Sequence, residues 1–182
     1  MNRRLALVVA VLVALPAAGR ADDPAPAPAP SSAPTKTVDA MVGEVITLPY
    51  NRTAAYSPGW VRGPTVNLTD SGNGQWKGNI KDLAGVFTVT EKRISGANFN
   101  IVMDRDGEEW TAQGTVDGKR VRIVLGPDAL VARYDNRFYE LKRVSEDLWV
   151  TVPTGPGIRV KGDAAGKSPY YPQFIFALLA VL

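Results

Sequence analysis

Residues 99–125 read FNIVMDRDGEEWTAQGTVDGKRVRIVL, and this stretch decides the fold class. Apolar and polar side chains alternate in it over three runs, which is the pattern of strands with one buried face and one wet face. Asp106-Gly107 and Asp117-Gly118 separate the runs, and a third such pair, Ser95-Gly96, precedes them. Such dipeptides tolerate the positive φ angles of tight hairpin turns. The stretch therefore predicts three consecutive antiparallel strands.

Each of these predicted strands has one face for the core and one for solvent. The positions expected in the core are Phe99, Ile101, Met103, Trp110, Ala112, Gly114, Val116, Val121, Ile123 and Leu125. The positions expected in solvent are Asn98, Asn100, Thr111, Gln113, Arg120 and Arg122. A sheet of this kind buries its apolar face against a core and leaves the other face wet.

The whole of residues 38–182 has the composition of a sheet. Short β-branched and aromatic runs are punctuated by Gly, Asn, Asp and Pro, and no stretch keeps a helical apolar period over three turns. Further strands are predicted over residues 44–50, 75–80, 86–94, 130–134, 137–144, 148–152, 157–161 and 173–181. So many short strands favour closure, which removes the exposed edges that invite aggregation. We therefore predict an all-β fold, a small antiparallel up-and-down β-barrel, over residues 38–182.

The segment 173–182, QFIFALLAVL, carries no charge and must be buried. It is too short for a transmembrane helix, which needs roughly 20 residues. We expect a closing strand that pairs with an early strand and is covered on both faces. The alternative is the last strand of an outer-membrane barrel.

Residues 51–64 form the longest segment without a strand pattern, and they contain Arg52, Tyr56, Trp60 and Arg62. Aromatic rings beside guanidinium groups are well suited to recognition. An irregular loop of this length either carries function or packs over the end of a barrel. These four residues are therefore the candidate contacts for a ligand or partner, with structural packing as the alternative.

The first 37 residues indicate export. Residues 1–21 combine a basic head, an apolar run and a small-residue end, as in a secretory signal peptide. The apolar run is shorter than the roughly 20 residues of a transmembrane helix, so we expect cleavage and no membrane anchor. Residues 22–37 are rich in Pro and Ala, and we expect a disordered linker there. The predicted location is the periplasm or the outside of a bacterial cell.

The charge of the predicted mature chain is balanced. The full sequence has 21 Lys and Arg against 18 Asp and Glu, and Arg3, Arg4 and Arg20 lie in the leader. Cleavage thus leaves 18 charges of each sign. Nucleic-acid binding depends on an excess of Lys and Arg that neutralises phosphates. We therefore expect no nucleic-acid partner.

The residue types exclude several chemistries, because the chain has no His and no Cys. Ser-His-Asp and Cys-His catalysis are absent, and so are zinc sites with imidazole or thiolate ligands. Carboxylate catalysis would need two of Glu44, Asp82, Asp104, Asp135 and Glu140 to converge. Residues 104–109, DRDGEE, are similar to a calcium loop, but Asp-Gly equally suits a hairpin turn. We predict no enzyme, no metal and no cofactor.

Gly74-Gln75-Trp76 opens a predicted early strand and is followed by a series of hairpins. This arrangement resembles the calycin barrels of lipocalins and avidins. The resemblance implies that Trp76 packs at the barrel floor. It also implies a cavity for a small apolar or amphiphilic molecule, or a surface that inhibits an exported enzyme.

Two functions follow as hypotheses. The first is a binding module for a small apolar or amphiphilic ligand, in a cavity lined by apolar and aromatic residues. The second is a solid barrel with a structural or inhibitory role, which contacts another exported protein through its loops.

Overall fold

The computed structural model describes residues 40–48, 50–145, 148–151, 157–162 and 171–182. All of these belong to the predicted barrel domain, residues 38–182. The predicted signal peptide, residues 1–21, and the predicted linker, residues 22–37, lie outside the described residues.

The described residues form a closed β-barrel of fourteen strands and one helix. The strands are β1 (Gly43–Thr47), β2 (Arg52–Ser57), β3 (Trp60–Gly63), β4 (Val66–Asp70), β5 (Gln75–Ile80), β6 (Leu83–Val89), β7 (Arg93–Gly96), β8 (Phe99–Asp106), β9 (Glu109–Val116), β10 (Lys119–Leu125), β11 (Ala129–Tyr134), β12 (Arg137–Ser145), β13 (Leu148–Thr151) and β14 (Ile158–Lys161). Each strand pairs antiparallel with the next, and β14 pairs with β1 to close the sheet. The predicted all-β, antiparallel up-and-down barrel is confirmed.

The predicted alternation over β8, β9 and β10 is also confirmed. The inward positions are buried except for Gly114, which is partly buried. The outward positions are exposed, with Thr111 partly buried. The apolar face of the sheet therefore lines the barrel interior, and the polar face meets solvent.

The predicted turns are only partly right. Asp117-Gly118 forms a turn with φ angles of 50° and 72°. The turn predicted at Asp106-Gly107 lies one residue later, at positions 107–108, because Asp106 pairs with Glu109. Ser95-Gly96 belongs to β7, and the turn lies at 97–98, where Asn98 adopts a φ of 57°.

Gly96 is needed for packing and not for a turn. A Cβ atom at this position would lie 2.8 Å from the Phe87 ring and 3.1 Å from the Val86 carbonyl oxygen. A side chain larger than hydrogen would therefore push the buried Phe87 ring out of place.

Two predicted segments are divided differently in the structure. Residues 86–94 are not one strand, because β6 ends at Val89 and the Thr90 amide donates to the Arg93 carbonyl at 2.8 Å to make a turn. Residues 51–64 are not an irregular loop, because β2 and β3 form a hairpin in which Tyr56 pairs with Val61. Strand β4 was not predicted either.

The prediction of a closing strand at residues 173–182 is wrong, and so is its membrane-strand alternative. Residues Tyr171–Val181 form the helix α1. Every residue from Gln173 to Leu182 is buried. A helix that is apolar all round must be surrounded by protein, and the barrel interior provides that surrounding. A continuous apolar run does not by itself distinguish a buried strand from a buried helix.

The direction of α1 defines two ends of the barrel. The turns at residues 58–59, 71–74, 90–92, 107–108 and 126–128 form the proximal end. The turn residues 48 and 50–51, together with the turns at 64–65, 81–82, 97–98, 117–118 and 135–136, form the distal end. At the proximal end the Gln173 amide donates to the Pro58 carbonyl at 3.1 Å. At the distal end the Thr65 hydroxyl donates to the Ala180 carbonyl at 2.7 Å. The helix therefore passes through the barrel interior from one end to the other.

Candidate functional site

A cleft opens at the proximal end, where α1 enters the barrel. It has a volume of about 680 Å³. Its lining residues are Val89, Thr90, Glu91, Lys92, Met103, Asp104, Arg105, Trp110, Tyr171 and Pro172. We call this site the proximal cleft. Its size falls in the usual range for pockets that take small molecules.

Two aromatic rings form part of the lining of the proximal cleft. The Trp110 and Tyr171 rings are stacked, with centroids 4.4 Å apart and planes inclined by 29°. The Arg105 guanidinium carbon lies 5.1 Å from the centre of the Trp110 ring, a cation–π distance. The sheet and the helix contribute one ring each, because Trp110 lies near the start of β9 and Tyr171 is the first residue of α1.

The hydroxyl of Tyr171 is buried and has no hydrogen-bond partner among the residues that the structure describes. Burial raises the pKa of Tyr171 well above its ordinary value, so the hydroxyl stays protonated. A buried hydroxyl without a partner costs about 1–3 kcal/mol, because it gives up its hydrogen bonds to water. Tyr171, which lines the proximal cleft, therefore carries a hydrogen-bond donor that lies beneath the cleft surface and has no partner among the described residues.

The sides of the cleft carry charges of both signs. Glu91 and Asp104 contribute carboxylates, and Lys92 and Arg105 contribute cations. Arg105 is held in place, because its Nε donates to the Gly107 carbonyl at 2.9 Å. An apolar wall with polar groups at its edge suits a molecule with an apolar body and a polar head.

The structure does not bring the four candidate loop residues together. Tyr56 is fully buried in the barrel interior, where its ring meets Phe174 of α1 edge-on at 6.3 Å. Trp60 and Arg62 lie in β3, with the Arg62 guanidinium carbon 5.0 Å from the centre of the Trp60 ring. Arg52 is exposed and begins β2 at the distal end.

Trp76, the residue assigned to the barrel floor by the calycin resemblance, is buried in β5. Its ring centroid lies 5.9 Å from that of Phe176. Its neighbour is therefore the helix inside the barrel.

Sequence reasoning placed Met103 and Trp110 in the core but did not group them as a site. Tyr171 was not singled out, because nothing in the sequence indicates that a helix start meets the β8–β9 hairpin. The only signal for this site in the sequence was the position of Trp110, which is the first inward-facing residue of its strand and lies next to a turn. The calcium-like residues 104–109 form this hairpin end, and no group of three possible metal ligands occurs in the described part of the chain.

The fold and the cleft define an antiparallel barrel filled by a helix of the same chain. No protein-family model matches the chain, and neither a curated protein nor a solved structure matches it. Among the described residues, no helix is long and apolar enough to span a membrane.

Proposed function

We propose that the protein is an exported, non-catalytic binding module that takes a small amphiphilic molecule in the proximal cleft. The observation that carries this proposal is the buried, unpartnered hydroxyl of Tyr171 beside the stacked Trp110 ring. A ligand with an aromatic or aliphatic body would pack on Trp110 and accept a hydrogen bond from Tyr171. Lys92 or Arg105 would meet an anionic head group.

The proximal cleft supports this function better than the barrel interior does. Helix α1 occupies the interior, with Phe176 in ring contact with Trp76, Phe87 and Phe99. A ligand site in such a barrel is expected at an end, where the helix and the turns leave a concave surface.

Titration with 1-anilinonaphthalene-8-sulfonate, an aromatic amphiphile with an anionic head, tests the proposal. We expect one saturable site and a fluorescence increase. Tyr171→Phe should weaken binding about tenfold, because it removes one hydrogen bond to a charged acceptor. The same substitution should leave the free energy of unfolding unchanged or raise it by about 1 kcal/mol, since the free protein does not use the hydroxyl.

Tyr50→Phe is the matched control, because Tyr50 is 71% exposed and lies in a turn at the distal end. Binding that is equally strong in the wild type, Tyr171→Phe and Tyr50→Phe would contradict the assigned site. A loss of stability in Tyr171→Phe would show that the hydroxyl has a partner in the free protein.

A second candidate function is contact with another exported protein by a solid barrel. The observation in its favour is the filled interior, which leaves the surface for recognition. Chemical cross-linking of the protein in its own cell envelope, followed by mass spectrometry, tests this function. Specific cross-links that Arg62→Glu abolishes, with no binding of the amphiphile, would favour it over the first candidate.

A further inference from the structure

A second cleft lies at the distal end, on the far side of α1 from the proximal cleft. Its volume is about 570 Å³. It is lined by the cations Arg52, Lys81, Lys119 and Arg137, the carboxylates Asp82 and Asp135, and Pro64, Thr65, Asn79, Tyr134, Asn136, Ala180 and Leu182. We call it the distal cleft.

Four different turns bring the four cations together. Arg52 follows the turn after β1, Lys81 lies in the turn after β5, Lys119 follows the turn after β9, and Arg137 follows the turn after β11. The residues are far apart in the sequence, and only closure of the barrel places them around one opening.

The positive charge in the distal cleft is not neutralised by neighbouring carboxylates. In the described ranges, no Asp or Glu side chain lies within ion-pair distance of any of the four cations. With Asp82 and Asp135 counted, the side chains that line the cleft carry two net positive charges. Burial, together with the charges of Lys119, Arg137 and Arg52, lowers the pKa of Lys81 to about 8. The attraction of Asp82 for Lys81 is outweighed.

An aromatic ring and the end of the helix offset part of this positive charge. The Lys81 Nζ lies 4.2 Å and the Lys119 Nζ 5.8 Å from the centre of the Tyr134 ring. Arg137 donates to the main-chain oxygen of Leu182 at 2.9 Å, at the end of α1. The carbonyl end of a helix carries about half a negative charge and an α-carboxylate at Leu182 would carry one, so neither offsets both of the net positive side-chain charges.

From this cluster we infer that the distal cleft is a binding site for a dianionic phosphate group. Two guanidinium groups and two ammonium groups supply charged donors, and Asn79, Thr65 and Asn136 supply neutral polar groups. The cleft keeps a net positive charge, which favours a phosphate group over a neutral ligand. The volume exceeds what one phosphate group fills, so there is room for the molecule that carries it. This inference is independent of the function proposed for the proximal cleft.

Calorimetric titration of the intact protein with inorganic phosphate and with glycerol 3-phosphate, at low ionic strength and pH 7, tests the inference. We expect one site for at least one of the two probes. Arg52→Gln/Lys119→Gln should weaken binding by tenfold or more, because each cation contributes charge-assisted hydrogen bonds. Both side chains are exposed, so the variant should still fold. Lys119→Gln alone, the second variant, should weaken binding by a smaller factor.

Lys77→Gln/Lys142→Gln is the matched control, since it removes two exposed cations that do not line the cleft. It should change affinity less than twofold. Tighter binding of glycerol 3-phosphate would assign the site to phosphate monoesters, and equal binding would assign it to phosphate itself. No binding of either probe, or equal losses in the two double variants, would overturn the inference.

Affinity should also fall as the pH rises through about 8. The charged form of Lys81 is favoured by the bound dianion, whereas the free protein loses that proton near pH 8. The other charged or titratable groups around Lys81 are Arg52, Asp82, Lys119, Tyr134, Asp135 and Arg137. Proton uptake on binding at pH 8, measured in buffers of different ionisation enthalpy, should be absent in Lys81→Met.

Discussion

Phe176→Ala should lower the free energy of unfolding by about 3–5 kcal/mol. The Phe176 ring sits inside the barrel with centroids 5.9 Å from Trp76, 5.8 Å from Phe87 and 5.6 Å from Phe99. Removing it leaves a cavity that the surrounding side chains cannot close, because the strands that carry them are held in place by hydrogen bonds around the closed barrel. Urea unfolding followed by tryptophan fluorescence measures the loss.

Phe138→Ala is the control for this prediction. Phe138 is 62% exposed on β12, so its removal should change the free energy of unfolding by about 0.5 kcal/mol or less. Similar losses for Phe176→Ala and Phe138→Ala would mean that α1 does not fill the barrel. The result would then also remove the support for a ligand site at the proximal end.

Gly78→Ala should lower the free energy of unfolding by about 3–4 kcal/mol, through two effects that act together. The φ angle of Gly78 is 139°, which L side chains rarely adopt. A Cβ atom would also overlap the carbonyl oxygen of Asn67 on the neighbouring strand β4. Relief of that overlap requires β4 and β5 to separate, which weakens their hydrogen bonds. Thermal and chemical unfolding both measure the loss.

Gly85 provides a control that is matched in backbone geometry. It pairs with Gly78 across β5 and β6 and has a φ angle of 150°. A Cβ atom there would meet nothing within 4 Å. Gly85→Ala should therefore lower the free energy of unfolding by about 1–2 kcal/mol, which is the effect of the backbone strain alone. Equal losses at the two positions would show that the overlap with Asn67 is relieved at no cost.

Sequence reasoning worked best where one signal dominated. In β8 to β10 the alternation is strict, and a slip of one residue would bury Asn100 or Arg122, so the register is strongly determined. Sequence reasoning failed at β2 and β3, because Pro58, Gly59 and Gly63 are typical of loops and interrupt the strand pattern. The inward residues of this short hairpin are Ala54, Tyr56 and Val61. Short strands with small residues carry little periodic signal.

The two clefts show a different kind of limit. A balance of 18 charges of each sign predicted no nucleic-acid partner, and that argument concerned the net charge alone. The distal cleft depends on where charges lie, and its four cations come from turns spread over residues 52–137. Likewise, Trp110 and Tyr171 are separated by sixty residues and stack only because α1 begins at the proximal end.

The sequence by itself determined the class of fold, because alternation and turn residues act locally and need no knowledge of distant neighbours. It also determined that residues 173–182 are buried, since ten uncharged residues of which nine are apolar cannot remain in water at low cost. Only the tertiary structure decided that this segment is a helix. A closed sheet of fourteen strands encloses a space that its own side chains do not fill, and a helix satisfies its main-chain hydrogen bonds internally while filling that space.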